Sequence, residues 1–136
     1  MKKFYLSCIF VFSVLASAEE FAVVSNGSVE KLSVYEIKAV FLKQMKFYKG
    51  LRLVPVNLYP KSDLRRKFES DVLQMSFPRL RAYWNKKHYM GVRPPLTMRS
   101  KESVKRFIKQ VDGAVGYIPL RDVDKDLYVI YRWSEK

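Results

Sequence analysis

The residues best suited to chemistry lie in the segment Leu51–Phe68, where an apolar run is followed by a serine and two arginines. The pattern predicts a strand, a short turn and a helix that begins at Ser62, with Arg65 and Arg66 in its first turn. A helix N-terminus carries unpaired N–H groups and about half a positive charge, so it favours a bound anion. The segment therefore predicts a site for a phosphate-like oxyanion.

A simpler interpretation of the same residues needs no ligand. Ser62 is a common type of helix N-cap, and Arg65 could be an ordinary solvent-exposed arginine. Arginines near a helix N-terminus, however, are unfavourable to the helix dipole. Two adjacent arginines there indicate compensation by a bound anion or by an acidic partner.

The rest of the sequence contains few residue patterns that could support catalysis. The chain contains one histidine, His88, and no serine or cysteine motif accompanies it. Asp122 and Asp124 lack the glycine and the distal glutamate of a calcium loop, and no glycine-rich phosphate loop is present. We therefore expect a protein that is not an enzyme, with no catalytic residue, no metal site and no cofactor.

The N-terminal segment predicts export. A pair of lysines precedes the apolar run Phe4–Leu15, and Ala16–Ala18 has the small residues of a cleavage site. Residues 1–18 are thus predicted to be a Sec-type signal peptide, which also removes the single cysteine, Cys8. Residues 19–136 are predicted to form one domain in the periplasm, without a transmembrane span after cleavage.

The chain is strongly basic, with a formal net charge of +13. In an exported protein this charge points away from nucleic acid and towards other anions. Candidate partners are a small anion, a phosphate-bearing lipid, an acidic polymer, or an acidic envelope protein or membrane complex. Most individual lysines are expected to be simple solvated surface groups.

The elements that must position the candidate site alternate between strands and helices. Strands are predicted at Phe21–Ser25, Leu51–Leu58, Ala114–Ile118 and Leu127–Trp133. Helices are predicted from Ser33 to about Met45, from Ser62 to about Leu73, from Pro78, and from Ser100 to Gly113; Pro94-Pro95 predicts a rigid extended loop. The alternation predicts an α/β fold with helices packed on a small, partly parallel sheet.

Several motifs occur in an order that resembles a known family. They are the segments LSVYEIKAVFLKQ and LVPVNL, the spacing Ser62-x-x-Arg65-x-x-Phe68, and the run Asp112–Ile118. The middle of the chain adds Tyr83-Trp84, Tyr89, Gly91 and Pro94-Pro95. This order is similar to that of the phosphate-binding proteins of ABC transporters, and most similar to their short exported relatives with a type II periplasmic-binding-protein-like (PBP-like) fold. The resemblance covers nearly all of Phe21–Leu120.

The resemblance implies a single α/β lobe, a small mixed sheet flanked by helices, with four ligand-binding residues. It makes Ser62 a hydroxyl donor to a phosphate oxygen and Arg65 its charged partner. Asp63 stands where the full-length phosphate binders have a small residue, so its carboxylate either accepts a proton from a protonated phosphate or repels a dianion. Arg66 adjoins the site.

Two functions follow as expectations. The first is a non-enzymatic exported binding protein that holds phosphate or a similar oxyanion, weakly, because one lobe leaves the anion half exposed. A second copy or a partner would then supply the missing lobe. The alternative is a basic periplasmic scaffold protein that docks an acidic envelope partner and has lost ligand binding.

Overall fold

The fold is built on one five-stranded sheet. A computed structural model describes residues 3, 5, 8–11 and 18–135. The strands of the sheet are β1 (Glu20–Ser25), β4 (Val54–Leu58), β5 (Leu96–Met98), β6 (Ala114–Pro119) and β7 (Tyr128–Ser134), and β2 (Phe47–Tyr48) and β3 (Leu51–Arg52) form a separate hairpin. The strand order is β5-β4-β6-β1-β7.

The sheet is mixed. β4 runs parallel to both β5 and β6, with Val56 opposite Leu96 and Val54 opposite Ala114. β1 runs antiparallel to β6 and β7, and its register with β7 shifts between Val23 and Val24. The predicted α/β class with a small mixed sheet is therefore confirmed.

Helices connect the strands and pack on the sheet. They are α1 (Val34–Phe41), α2 (Asp63–Phe68) with a π-helical turn at Glu69–Leu73, α3 (Phe77–Tyr89), α4 (Lys101–Gln110) and a 3-10 turn at Leu120–Asp122. Serines cap all four α-helices, and in α1 both hydrogen bonds of the predicted capping box are present: Ser33 Oγ accepts from the Glu36 amide, and Glu36 Oε1 accepts from the Ser33 amide.

An aromatic cluster forms the centre of the core below α2. The rings of Phe68 and Tyr117 stack with a centroid distance of 4.1 Å, and Phe41 meets Phe68 edge-on at 4.7 Å. Trp133 of β7 lies 5.8 Å from Phe68. All four side chains are buried. The cluster thus ties α1 and α2 to the middle and the far edge of the sheet.

Local details correct the expected element bounds. The first helix ends at Phe41 rather than near Met45, because Lys43 adopts a left-handed backbone conformation with φ 62°. The predicted strand Leu51–Leu58 divides at Leu53, whose N–H donates to the Lys46 carbonyl in the hairpin. The N–H of the next residue, Val54, donates instead to the Gly113 carbonyl beside β6.

Two further segments also differ from the expectation. No strand was predicted between the Pro94-Pro95 loop and Ser100, but this segment contains β5, which the parallel strand β4 supports. The predicted helix from Ser62 continues through Leu73 only by changing to the π-helical turn.

The predicted signal peptide, residues 1–18, lies largely outside the described residues, so its assignment stays a prediction. Within the part of the chain that the structure describes, no helix is long and apolar enough to cross a membrane.

Candidate anion-binding site

Two helices begin side by side beyond the carboxyl ends of neighbouring strands. The parallel strands β4 and β5 end together, with Leu58 opposite Met98. Each is followed by a helix that a serine caps: Ser62 Oγ accepts the Arg65 N–H at 3.3 Å, and Ser100 Oγ accepts the Ser103 N–H at 3.1 Å. In open α/β sheets, ligands bind outside the carboxyl ends of the strands, where helix N-termini converge.

A crevice of about 480 Å³ opens at this end of the strands. Its charged lining consists of the basic residues Lys67, Arg99, Lys101 and Arg121 and the acidic residues Glu19, Asp63 and Glu102. Ser62, Tyr59 and Ser100 also line it. We call this site the helix-start crevice. Its four cations outnumber its three carboxylates, so its lining has a net positive charge.

Most of these cations already have an acidic partner. Arg121 pairs with Glu19, which raises the pKa of the Arg121 guanidinium through a hydrogen bond. Lys67 Nζ lies 4.0 Å from a Glu19 carboxylate oxygen, and Lys101 Nζ lies 3.2 Å from Asp122 Oδ2.

Arg99 differs from those cations. Its side chain is exposed at the crevice and makes no hydrogen bond or ion pair with any described residue. It is therefore the cation most available to an incoming anion.

Ser62 and Asp63 both lie in the crevice. Ser62 is 6% exposed, and its oxygen accepts the Arg65 amide proton. A hydroxyl can donate one hydrogen bond as well as accept, and among the described residues Ser62 Oγ donates none. Asp63 is exposed beside it, and its carboxylate forms no ion pair with a described residue. One free donor and one free acceptor thus lie at the start of α2.

Arg65 turns away from the crevice lining. Its Nη1 donates to the Leu58 carbonyl at 2.8 Å, and its Nε lies 3.5 Å from Glu69 Oε2. The side chain is 17% exposed. Burial raises the pKa of the Glu69 carboxyl, and the nearby Arg65 charge opposes that rise. Arg65 therefore fixes the end of β4 to the body of α2.

Arg66 lies on another side of the helix. It is exposed and lines a separate groove of about 810 Å³ with Lys61, Met75 and Phe77. The structure thus brings together two of the four predicted site residues, Ser62 and Asp63, and places Arg65 behind them and Arg66 outside the crevice. Ligand contact by any of the four stays a prediction.

A buried hydrogen-bond network supports the turn that carries Ser62. Tyr117 of β6 donates its hydroxyl to Asn57 Oδ1 at 2.8 Å and accepts the Leu58 N–H at 3.2 Å. Burial raises the pKa of the Tyr117 hydroxyl, so this group stays neutral. Because Arg65 holds the carbonyl of Leu58, both backbone polar groups of the last β4 residue have a side-chain partner.

The second half of the crevice, Arg99 with Lys101, was missed by sequence reasoning. The available signal was the helix cap at Ser100, which was correctly predicted. Its relation to Ser62 depends on β5, and β5 was not predicted.

The two aspartates considered as a cation site have other roles. Asp122 accepts from Lys101, whereas Asp124 accepts from Lys109 at 2.7 Å and lies 3.1 Å from Lys105. The hydrogen bond from Lys109 lowers the pKa of Asp124 to about 2. Among the described residues, no cluster of His, Cys, Asp and Glu side chains could hold a metal ion.

Comparison with known proteins finds the fold among solved structures. No protein-family model and no curated protein matches the chain. An ABC-type phosphate transport receptor from Vibrio cholerae matches 82% of this chain with a TM-score of 0.67 and 20% identity. A protein assigned to phosphate ABC transport from Clostridium perfringens, solved with bound phosphate, matches 84% with a TM-score of 0.68 and 16% identity. PstS from Borrelia burgdorferi matches 83% with a TM-score of 0.60 and 11% identity.

These matches confirm the predicted PBP-like fold. The chain covers 45%, 45% and 47% of the lengths of these three structures, so it spans less than half of each. It therefore has the fold and the size of one lobe.

Proposed function

We propose that this domain is an exported, non-enzymatic binding protein that holds phosphate or a similar oxyanion in the helix-start crevice. The observation that carries the proposal is the meeting of the N-termini of α2 and α4 at the carboxyl ends of two parallel strands. Helix N-termini bind anions through free N–H groups and the helix dipole. The likeness of the fold to phosphate receptors supports the same ligand class.

Three side chains have separate roles in this proposal. Ser62 donates its free hydroxyl proton to one phosphate oxygen, and the guanidinium of Arg99 neutralises charge from the α4 side. The Asp63 carboxylate accepts a hydrogen bond from the P–OH group of a monoprotonated phosphate. Because sulfate carries no proton at neutral pH, the Asp63 carboxylate would repel it, which gives a preference for phosphate.

Arg65 contributes indirectly. Its hydrogen bond to the Leu58 carbonyl fixes the strand end from which the Ser62 turn begins. We therefore assign it a positioning role and expect no direct role for Arg66, which lies outside the crevice.

The size of the chain bears on affinity. If this lobe alone contacts the anion, one side of the anion stays in water, where each hydrogen bond is worth less. We expect a dissociation constant in roughly the millimolar range, which corresponds to about 4 kcal/mol of binding free energy. A second copy or a partner protein that closes the crevice would tighten binding.

Calorimetry with phosphate and with sulfate tests the proposal. The Arg99→Gln variant should weaken phosphate binding about tenfold. Arg106→Gln removes the same charge from the exposed face of α4 and serves as the matched control. Asp63→Asn should reduce the difference in binding affinity between phosphate and sulfate.

Ser62→Ala also removes a helix cap, at a cost of about 1 kcal/mol. Its folding must therefore be checked by circular dichroism before its binding is interpreted. The proposal fails if the wild-type protein gives no heat with millimolar phosphate, or if Arg99→Gln and Arg106→Gln bind alike. The scaffold role would then be the remaining alternative.

A further inference from the structure

Another pocket lies at the opposite end of β4, where this strand begins. Its volume is about 420 Å³, and four basic side chains line it: Lys43, Lys46, Arg52 and Arg93. No acidic residue is among its lining residues. We call it the basic pocket. The helix-start crevice, in contrast, includes three carboxylates and lies beyond Leu58 at the other end of the same strand.

Separate segments of the chain bring these cations together. Lys43 and Lys46 follow α1, Arg52 belongs to β3, and Arg93 comes from the loop before β5. The left-handed backbone of Lys43, with φ 62°, ends the helix and turns the chain towards the hairpin. The convergence is therefore a product of the fold and not of one basic run in the sequence.

The positive charges in this pocket are not compensated by the protein. None of the four basic side chains forms an ion pair with a described residue. Elsewhere, Lys101 and Lys109 each have an aspartate partner within 3.2 Å.

Lys43 shows the effect of this arrangement. Burial lowers the pKa of its ammonium group, and repulsion from Arg52 and Lys46 lowers it further. Like charges that crowd together without a counterion favour the binding of an anion.

The walls of the pocket indicate what kind of anion fits. Met45, Pro55, Pro94 and Leu96 supply apolar surface beside the cations. The volume falls within the range of small-molecule sites, about 300 to 1,000 Å³, and exceeds the space that inorganic phosphate needs. No aromatic ring lines the pocket, so it offers no platform on which nucleic-acid bases could stack.

We propose that the basic pocket binds an organic phosphomonoester, with the dianionic phosphate among Lys43, Lys46, Arg52 and Arg93 and the organic part against Met45 and Pro94. Such a group occurs in soluble phosphorylated small molecules and in the headgroup of phosphatidic acid. Both sources present the same charge to the same four side chains.

The experiment uses one probe for each source. Glycerol 3-phosphate is titrated calorimetrically, and binding to phosphatidylcholine vesicles with and without phosphatidic acid is measured by sedimentation. The double variant Lys46→Gln/Arg52→Gln is compared with Arg106→Gln/Lys125→Gln, which removes two exposed cations outside the pocket. The tested side chains are exposed, so both variants should fold, as circular dichroism would verify.

The pocket variant should weaken binding of one or both probes at least about tenfold more than the control variant. If the pocket variant loses binding only to glycerol 3-phosphate, the ligand is a soluble molecule. If it loses binding only to the phosphatidic acid vesicles, the ligand is the lipid. Equal weakening by the two double variants, or no binding of either probe by the wild type, overturns the proposal. Inorganic phosphate binding should be retained in Lys46→Gln/Arg52→Gln, because both residues lie outside the helix-start crevice, and this separates the two sites.

Discussion

Replacing Tyr117 by phenylalanine removes one oxygen atom from the network that supports the helix-start crevice. The ring can keep its stacking contact with Phe68, so the change isolates the hydroxyl. Two groups lose this hydrogen-bond partner: the N–H of Leu58 and Oδ1 of Asn57, in residues that are 2% and 8% exposed. A buried polar group without a partner costs about 1 to 3 kcal/mol. Because the side chain of Asn57 can turn towards water, we expect a total loss of about 2 kcal/mol.

Urea unfolding followed by circular dichroism measures this loss. Tyr128→Phe is the matched control, since Tyr128 is 46% exposed and should change stability by less than about 0.5 kcal/mol. In a double-mutant cycle, Tyr117→Phe and Asn57→Ala should couple by about 0.5 to 1.5 kcal/mol, because both remove the same hydrogen bond. A Tyr117→Phe loss no larger than that of Tyr128→Phe would refute the argument.

The pH dependence of stability tests the role of the Tyr117 hydroxyl independently. Burial raises the pKa of Tyr117 in the folded state, above the value of about 10 in the unfolded chain. Its contribution to stability is therefore complete below pH 10 and is lost as the pH rises towards the folded pKa. The difference in stability between the wild type and Tyr117→Phe should be constant near neutral pH and should shrink above about pH 10. A constant difference at alkaline pH would contradict the assigned burial effect.

Two further predictions concern the backbone and acid stability. Gly113 and Gly50 have similar left-handed conformations, with φ 83° and 80°, but a Cβ atom at Gly113 would collide with the Arg52 carbonyl oxygen, whereas one at Gly50 meets nothing within 4 Å. Gly50→Ala should therefore cost about 1 kcal/mol and Gly113→Ala about 2 kcal/mol more in urea unfolding, and equal losses would contradict the clash. The contribution of Asp124 to stability should be complete above its unfolded pKa of about 4 and lost as the pH falls through about 2, because Lys109 lowers its folded pKa. Asp124→Asn should reduce the dependence of stability on pH over that acid range. An unchanged dependence would show that the ion pair between Asp124 and Lys109 does not contribute to stability.

Sequence reasoning succeeded where local rules decide the structure. The capping box at Ser33 and Glu36 has both expected hydrogen bonds. The apolar positions Val104 and Ile108, one helical turn apart, are buried under α4. In both cases a few neighbouring residues contain all the information that the element needs.

The rest depends on contacts between distant segments. Strand β5 has only three residues, and its pairing with β4 places Arg99 beside the Ser62 turn. The inward direction of Arg65 likewise depends on the Leu58 carbonyl and on Glu69. A helical spacing alone gives the face of a residue only approximately, so it could not distinguish a ligand-binding arginine from one that supports the turn.

The position of β1 between β6 and β7 has a consequence for how the chain folds. Among the described residues, β1 pairs only with β6 and β7, so the centre of the sheet cannot close until the C-terminal segment is present. Contacts between distant parts of the chain carry a large loop-closure entropy and slow folding. An incomplete chain would keep β1 as an unpaired edge of mostly apolar residues, which is prone to aggregate.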